Sequence, residues 1–278
     1  MKQKYDDLSF QISKQTTQKY STSFSLGILA LSPKIRDAIY AIYGYVRLAD
    51  EIVDSFHGYD KDVLLSRFRI QTEEALAEKI SLNPILQSFQ QTVFKYNIDK
   101  NLISQFLKSM EMDLYKIDYN SDLYKEYILG SAEVVGLMCL HVFVNGDKEV
   151  FEKLKPFAMK LGSAFQKVNF LRDLNDDFEV LGRTYFPGVN ILNFDAKEKS
   201  QIEKDISEEF KCALEGIRML PKSSKFGVYL AYRYYIYLFN KIKKTPAKVI
   251  LKKRIRISNS RKFSLMMSSY VQYKIALI

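Results

Sequence analysis

Apolar side chains recur along most of the chain at the three- and four-residue spacing that is typical of amphipathic α-helices. The clearest helix begins at Ser32, which can cap it, continues with Pro33 at the first helical position, and has Gly58 as its stop. Seven further helices are predicted over Asp62 to Ile80, Pro84 to Tyr96, Leu102 to Tyr115, Asp122 to Val144, Phe151 to Val180, Ile202 to Leu220 and Gly227 to Lys244. No strand-like alternation of useful length competes with these segments, so the pattern predicts an all-α protein.

The chain contains few residues that break helices or separate domains. Its 278 residues include 11 Gly and 6 Pro, about half of average usage. The longest irregular segment lies between Leu181 and Ala196, and no repeat, low-complexity linker or change of composition divides the remainder. We therefore predict a single domain over residues 1–278, which ends in a basic segment at 241–278.

The N-terminal sequence and the cysteines indicate a cellular compartment. Met1 to Phe10 is polar and lacks the apolar core of a signal peptide, and the nearly apolar run Val134 to Val144 is too short to span a bilayer. Cys139 and Cys212 lack the spacing of a disulfide framework or a zinc site. These features predict a cytoplasmic protein in a reducing compartment.

The net charge of +10 is concentrated at the C-terminal end. Residues 241–278 contain eleven Lys and Arg and no acid, whereas residues 1–240 are close to neutral. Such a segment can bind nucleic acid, an anionic membrane surface or a phosphorylated substrate, or can simply be solvated. Charge alone does not choose among these possibilities.

Two pairs of aspartates lie at helical spacing on otherwise apolar helices. Asp50 and Asp54 are four residues apart near the end of the first long helix, so both lie on one face. On the later helix, one polar stripe is formed at spacings of three, four and four by Gln166, Asn169, Asp173 and Asp177. Like charges placed in this way repel each other, so each pair costs the helix a few tenths of a kcal/mol.

The aspartate pairs have two interpretations. They can be ordinary solvated helix faces, because the same spacing occurs at Asp118 and Asp122 in a predicted loop. Their context favours a functional site. Arg47 lies one turn before the first pair, and the second pair is accompanied by Arg172, Arg183 and Tyr185. Carboxylates mixed with arginines suit a site that holds Mg²⁺ and phosphate oxygens together.

Several segments together resemble the squalene and phytoene synthases, a family that joins two prenyl diphosphates head to head. The most specific is Gln166 to Pro187, QKVNFLRDLNDDFEVLGRTYFP, which resembles the second aspartate-rich motif of the family. Ala41 to Asp54 resembles the first such motif. Weaker matches are Tyr20 to Phe24, Tyr127 with Gly130 to Gly136, Ala231 to Tyr235 and, more loosely, Lys253 to Arg256.

The resemblance implies the helical isoprenoid synthase fold, in which the two aspartate motifs face each other across the mouth of a central cavity. It implies catalytic roles for Asp50, Asp54, Asp173 and Asp177. It implies Mg²⁺, with Mn²⁺ as an alternative, bound by these four aspartates and Asn169. The implied substrate-binding residues are Tyr20, Ser21, Ser23, Phe24, Tyr43, Arg47, Tyr127, Gln166, Asn169, Arg172, Tyr235 and Arg254.

The reaction implied by the resemblance is the ionisation of one prenyl diphosphate and attack by the second chain, which gives a cyclopropylcarbinyl diphosphate that then rearranges. We expect two geranylgeranyl diphosphates to give phytoene, in carotenoid biosynthesis. NADPH is not expected, because the sequence contains no G-x-G-x-x-G turn. The alternative within the family is a C30 squalene or dehydrosqualene synthase that uses farnesyl diphosphate.

Two other classes of function are consistent with parts of the sequence. One is a chain-elongating prenyltransferase or cyclase, although the chain contains no D-D-x-x-D motif. The other is a non-enzymatic basic helical module that binds nucleic acid or membrane through residues 241–278. For the enzyme we expect no nucleic acid partner and peripheral contact with the inner face of an anionic membrane; the oligomeric state is left open.

Overall fold

α-Helices account for nearly all of the chain that the structure describes. The computed structural model describes residues 1–115, 119–179, 185–189, 194–252 and 254–275, and only the backbone of 175–179. No strand occurs in these ranges, which agrees with the all-α prediction. The helices are α1 (Lys2–Tyr20), α2 (Thr22–Leu29), α3 (Pro33–Asp54), α4 (Lys61–Glu78), α5 (Pro84–Tyr96), α6 (Lys100–Met112), α7 (Ser121–Ile128), α8 (Val134–Phe143), α9 (Lys148–Glu179), α10 (Ala196–Met219), α11 (Lys222–Lys243), α12 (Ala247–Ile250) and α13 (Asn259–Lys274), with a π turn (Leu129–Glu133) between α7 and α8.

All eight predicted helices are present, and some of them begin or end at other residues than predicted. α3 ends at Asp54, and the predicted stop Gly58 lies in the following turn with φ of +84°. α10 begins six residues before the predicted start, because Asp195 and Glu198 form a reciprocal capping box there. The predicted loop from Leu181 lies in part outside the described residues.

α1 was not predicted, because the side chains that it buries are polar. Its inner face consists of Asp6, Ser9, Ser13 and Thr17, at helical spacing. Ser13 shares a 2.7 Å hydrogen bond with Ser88 of α5, and Gln87 of α5 donates to Asp6 at 2.8 Å. A search for apolar periodicity does not detect such a stripe. The short helices α2 and α13 were also not predicted.

α9 is the longest helix and packs against α8, the π turn, α10 and α11. Its backbone approaches the π turn so closely that a Cβ added at Gly162 would lie 2.7 Å from the carbonyl oxygen of Ala132. Glycine is therefore required at this crossing for a steric reason, although it costs a helix about 1 kcal/mol relative to alanine.

The side of α9 that faces α10 carries a buried cluster of charges. The Lys167 ammonium donates to Glu209 at 3.0 Å and also to Asp205, and the Ser163 hydroxyl donates to Glu209 at 2.9 Å. Burial raises the pKa of nearby Glu133, in the π turn, to about 7. The cluster joins α9 and α10 by paired charges, so their interface is not purely apolar.

α7, the π turn and α8 form one continuous helical run. Among the described residues, this run, Ser121–Phe143, is long and apolar enough by length and composition to cross a membrane, and half of its most apolar window is buried in the fold. This run is longer than the predicted apolar run at Val134 to Val144, because it includes α7 and the π turn. Val134, Met138 and Val142 have no exposed surface, so α8 is also a core helix.

We predict that Gly162→Ala lowers the free energy of unfolding by about 1 to 2 kcal/mol. The added methyl group forces α9 away from a backbone carbonyl, which costs about 1 to 3 kcal/mol and outweighs the gain in helix propensity. The matched control is Gly27→Ala in α2, where the new Cβ would meet its nearest atoms at 3.6 Å. Urea unfolding of both variants tests this, and equal stability of the two would contradict it.

Candidate active site

The last turns of α3 present an arginine and acidic side chains beside a tyrosine. Arg47 donates to Asp50 at 2.7 Å and also pairs with Glu51. Its guanidinium lies 4.4 Å from the centre of the Tyr20 ring, at the end of α1. Asp54 is half-buried and ends the helix. Asp50 therefore lies next to a cation that is held by its own helix and by an aromatic face.

The second aspartate pair lies near the end of α9, where Asp173 contacts two arginines. The neighbouring Arg172 donates to it through Nε at 2.9 Å and through a second guanidinium nitrogen. Arg254, 81 residues later in the connection between α12 and α13, approaches it at 2.8 Å. The side chain of Asp173 is 18% exposed, so this is not an ordinary solvated helix face. The predicted partners Asp177, as a side chain, and Arg183 lie outside the described residues.

The earlier part of the α9 stripe is connected to α11 by hydrogen bonds. The Tyr235 hydroxyl donates to Asn169 Oδ1 at 3.2 Å, and Asn169 Nδ2 donates to Gln166 at 3.4 Å. The Tyr235 ring stacks on Phe165 with centroids 3.9 Å apart. Burial raises the pKa of Tyr235, so its hydroxyl keeps its proton. The hydrogen bond from the Tyr235 hydroxyl therefore fixes the orientation of the Asn169 amide group.

The start of α2 closes the gap between α3 and α11. The Ser21 hydroxyl caps α2 by accepting from the amide of Phe24 at 3.2 Å, and it lies close to the Tyr43 hydroxyl. The Phe24 ring lies 5.7 Å from that of Tyr43 and 6.1 Å from that of Tyr235. Burial raises the pKa of Tyr43 to about 12. Ser23 lies half-buried in the first turn of the helix.

A cavity of about 370 Å³ runs inward from these groups. Eight of the predicted residues line it, namely Phe24, Tyr43, Arg47, Asp50, Tyr127, Gln166, Asn169 and Tyr235. The rest of its wall is almost entirely apolar, and Leu140, Phe157 and Ile217 are among the side chains that form it. We call the end that carries Arg47, Asp50 and Asn169, together with Asp173 one helical turn beyond Asn169, the polar mouth.

The length of the cavity follows from the geometry of α9. Phe157 lies 12 residues before Asn169 on this helix, which corresponds to about 18 Å. Phe157 leans on Gly216 of α10, where an added Cβ would lie 2.2 Å from the Phe157 Cβ. The backbone of α10 therefore holds this ring in place in the cavity wall, which continues about one helical turn further along α9 to Leu154.

Asp113 is a buried acid that sequence reasoning did not identify. It is 6% exposed, and it accepts a 2.8 Å hydrogen bond from the hydroxyl of Tyr127 and a longer one, 3.5 Å, from that of Tyr185. Burial and the charge of Asp113 raise the pKa of Tyr127 well above its usual value. The available signal in the sequence is an acid between two apolar residues, Met112 and Leu114, at the end of α6.

The oxygen donors at the polar mouth fit a metal ion that arrives with its substrate. Among the side chains that the structure describes, no group of three or more His, Cys, Asp or Glu is gathered as a preformed metal site. Mg²⁺ usually takes only one or two protein carboxylates and completes its shell with water and substrate phosphates. Asp50, Asp54, Asn169 and Asp173 are donors of this kind, and the arginines beside them can contact the phosphates.

Solved structures show the same fold. A crystal structure of a dehydrosqualene synthase in complex with a ligand superposes with a TM-score of 0.83, at 20% identity and with 98% of each chain covered. The squalene synthase HpnC of Alicyclobacillus acidocaldarius has a TM-score of 0.74 at 19% identity and covers 85% of this chain and 93% of its own. The predicted helical isoprenoid synthase fold is thus confirmed.

Sequence relatives agree with the fold. Phytoene synthase 1 of Arabidopsis thaliana, a chloroplastic protein, is 28% identical over 219 residues, which are 76% of this chain and 51% of that protein. The phytoene synthase of Arthrospira platensis is 27% identical over 215 residues, 73% of this chain and 69% of that protein. The chain spans between 42% and 67% of the length of the plant relatives that it matches. The model of the squalene/phytoene synthase family matches residues 17–261, and the chain belongs to this family of prenyltransferase-type enzymes.

Proposed function

We propose that this protein joins two molecules of geranylgeranyl diphosphate head to head to form phytoene. The observation that carries the proposal is that α3 and α9 bring Asp50 and Asn169 to the same end of one apolar cavity. A diphosphate fits the charged end and a prenyl chain fits the apolar interior. Phytoene synthases among the relatives support a reaction of this family.

The polar mouth supplies the charges that a departing diphosphate requires. Mg²⁺ bound by Asp50, Asp54, Asn169, Asp173 and Asp177 would supply concentrated positive charge at the leaving group. Arg47, Arg172 and Arg254 lie beside these carboxylates and stabilise negative charge as it develops on the phosphate oxygens. Because an arginine presents several N–H donors, it can contact phosphate oxygens while it remains near its carboxylate.

The wall of the cavity protects a carbocation from water. The faces of Phe24, Tyr43, Phe165 and Tyr235 lie along the part of the wall nearest to the polar mouth, and aromatic faces attract cations by up to about 2 kcal/mol when desolvated. The raised pKa values of Tyr43 and Tyr235 keep both rings neutral. We propose that the last cation loses a proton, which gives phytoene without NADPH.

The length of the cavity wall supports a C20 substrate. A five-carbon unit extends by about 5 Å, since it spans four bonds of about 1.5 Å that each advance the zigzag chain by about 1.25 Å, so a C20 chain needs about 20 Å and a C15 chain about 15 Å. The side chains of α9 that line the cavity run from Asn169 to Leu154, which measures about 22 Å along the helix axis, and Asp173 lies one helical turn further out. An extended C20 chain with its diphosphate at Asp173 therefore fits this length, which a C15 chain does not fill.

We further propose that the protein acts in the cytoplasm in peripheral contact with an anionic membrane. Support comes from the eleven basic and no acidic residues of segment 241–278. A C40 hydrocarbon does not dissolve in water, so release into a bilayer removes the product. No observation favours nucleic acid as the partner.

The reaction itself is tested by product analysis. We expect purified protein with geranylgeranyl diphosphate and Mg²⁺ to form phytoene, with the same product and rate in the presence and absence of NADPH. A hydrocarbon whose formation depends on NADPH would replace this reaction by that of a squalene-type synthase. Turnover of farnesyl diphosphate without turnover of geranylgeranyl diphosphate would contradict the chain-length argument.

Removal of one carboxylate on either side of the polar mouth is expected to abolish most activity. Asp50→Asn and Asp173→Asn each lower kcat by about 10²-fold or more, because a metal and diphosphate contact is lost. Both carboxylates are paired with arginines, so their replacement does not stabilise the protein by relieving repulsion between aspartates. We expect the free energy of unfolding to fall by at most about 2 kcal/mol. The matched control is Asp122→Asn, whose side chain is 95% exposed. Near-normal turnover in both variants would refute the assignment.

Tyr127 and Asp113 are expected to act as one unit. A double-mutant cycle of Tyr127→Phe and Asp113→Asn measures their coupling in urea unfolding, and we expect about 1 to 2 kcal/mol because the buried hydrogen bond has a charged acceptor. In turnover, we expect the double variant to lose no more than the worse single variant. Additive losses in both measurements would show that the two side chains act independently.

A further inference from the structure

The outer face of α13 carries a stripe of exposed apolar side chains. Its members are Phe263, Met267, Tyr270, Val271 and Ile275, which are 45% to 61% exposed. Their spacings of three and four residues place them on one side of the helix. Leu265 and Ser269, on the opposite side, are buried against the protein. α13 therefore carries apolar residues on its outer side as well as on the side that packs on the protein.

This part of the molecule is basic and contains no acid. From Gly216 to the end of the sequence there are 15 Lys and Arg and no Asp or Glu. α2 and α13 both pack on α11, and none of these three helices has an acidic residue. Lys274 lies at 5.6 Å from the Tyr270 ring, so one cation is adjacent to the apolar stripe itself.

The N-terminal end of α13 lies beside the segment that leads to the polar mouth. Lys262 donates to the hydroxyl of Thr22 at 2.6 Å. Thr22 follows Tyr20, which covers Arg47, and Ser21, which contacts Tyr43. A partner on α13 would therefore lie near the entrance for substrate.

We propose that the outer face of α13 docks the protein on an anionic lipid bilayer, with its apolar side chains in the interface and the surrounding cations at the headgroups. A second copy of the chain fits less well, because a symmetric dimer would bring two basic surfaces that lack acids against each other. An anionic bilayer complements both the apolar stripe and the charge. The inference deepens the proposed peripheral location and rests on that part of the proposed function.

Vesicle binding by the full-length protein tests this surface. Vesicles of phosphatidylcholine with and without phosphatidylglycerol are compared for the wild type and for Met267→Glu/Val271→Glu. We expect the double substitution to weaken binding to the anionic vesicles by at least about tenfold, and about 0.5 M salt to weaken the wild type in the same direction. The matched control is Val63→Glu/Ile70→Glu on α4, where the native side chains are 50% and 52% exposed; its affinity should stay within about twofold.

Turnover of detergent-dispersed substrate separates this inference from the proposed reaction. We expect it to be unchanged in Met267→Glu/Val271→Glu, since neither residue lines the cavity. If that variant is less stable in thermal unfolding, Phe263→Ser provides the same test with one substitution. Equal binding of variant and wild type, or equal binding of wild type to neutral and anionic vesicles, would overturn the proposal. So would a wild-type dimer that the substitutions dissociate without any change in vesicle binding.

Discussion

Carboxylates at the edge of an apolar cavity must be neutralised, and the arrangement of the site depends on this constraint. An unpaired charge withdrawn from water costs several kcal/mol, whereas a paired and hydrogen-bonded one is tolerated. Asp50 meets this requirement within its own helix through Arg47. Asp173 needs Arg254 in addition to its neighbour Arg172, so the C-terminal connection must return to α9.

The same pairing explains how one surface can be stable both with and without a ligand. The arginines that neutralise the carboxylates are the groups that a diphosphate would attract, and the carboxylates are the groups that a cation would attract. Ligand binding in the proposed reaction therefore exchanges one set of ion pairs for another and does not bury new unpaired charge. Because Arg254 comes from the C-terminal segment, this exchange also couples α9 to that part of the chain.

Sequence reasoning was effective where an apolar pattern and a functional motif coincide. α3 and α9 are long and amphipathic, and their polar stripe at Gln166, Asn169 and Asp173 follows directly from helical spacing. The Asp113 and Tyr127 pair could not be predicted in this way, because a buried hydrogen bond between α6 and α7 leaves no periodic signal in either helix. Nor could periodicity show which apolar residues of α13 face outward, since that depends on which side packs on α11.

α1 provides a contrast with the rest of the core, because polar groups form most of its buried face. Its attachment through Asp6, Ser13 and Thr17 buries few apolar side chains of α1 itself. Detachment of α1 would therefore change the heat capacity and the urea m value far less than loss of an apolar helix of the same length. This helix ends at Tyr20, whose ring lies on Arg47, so loss of the polar contacts that hold α1 would uncover one side of the polar mouth.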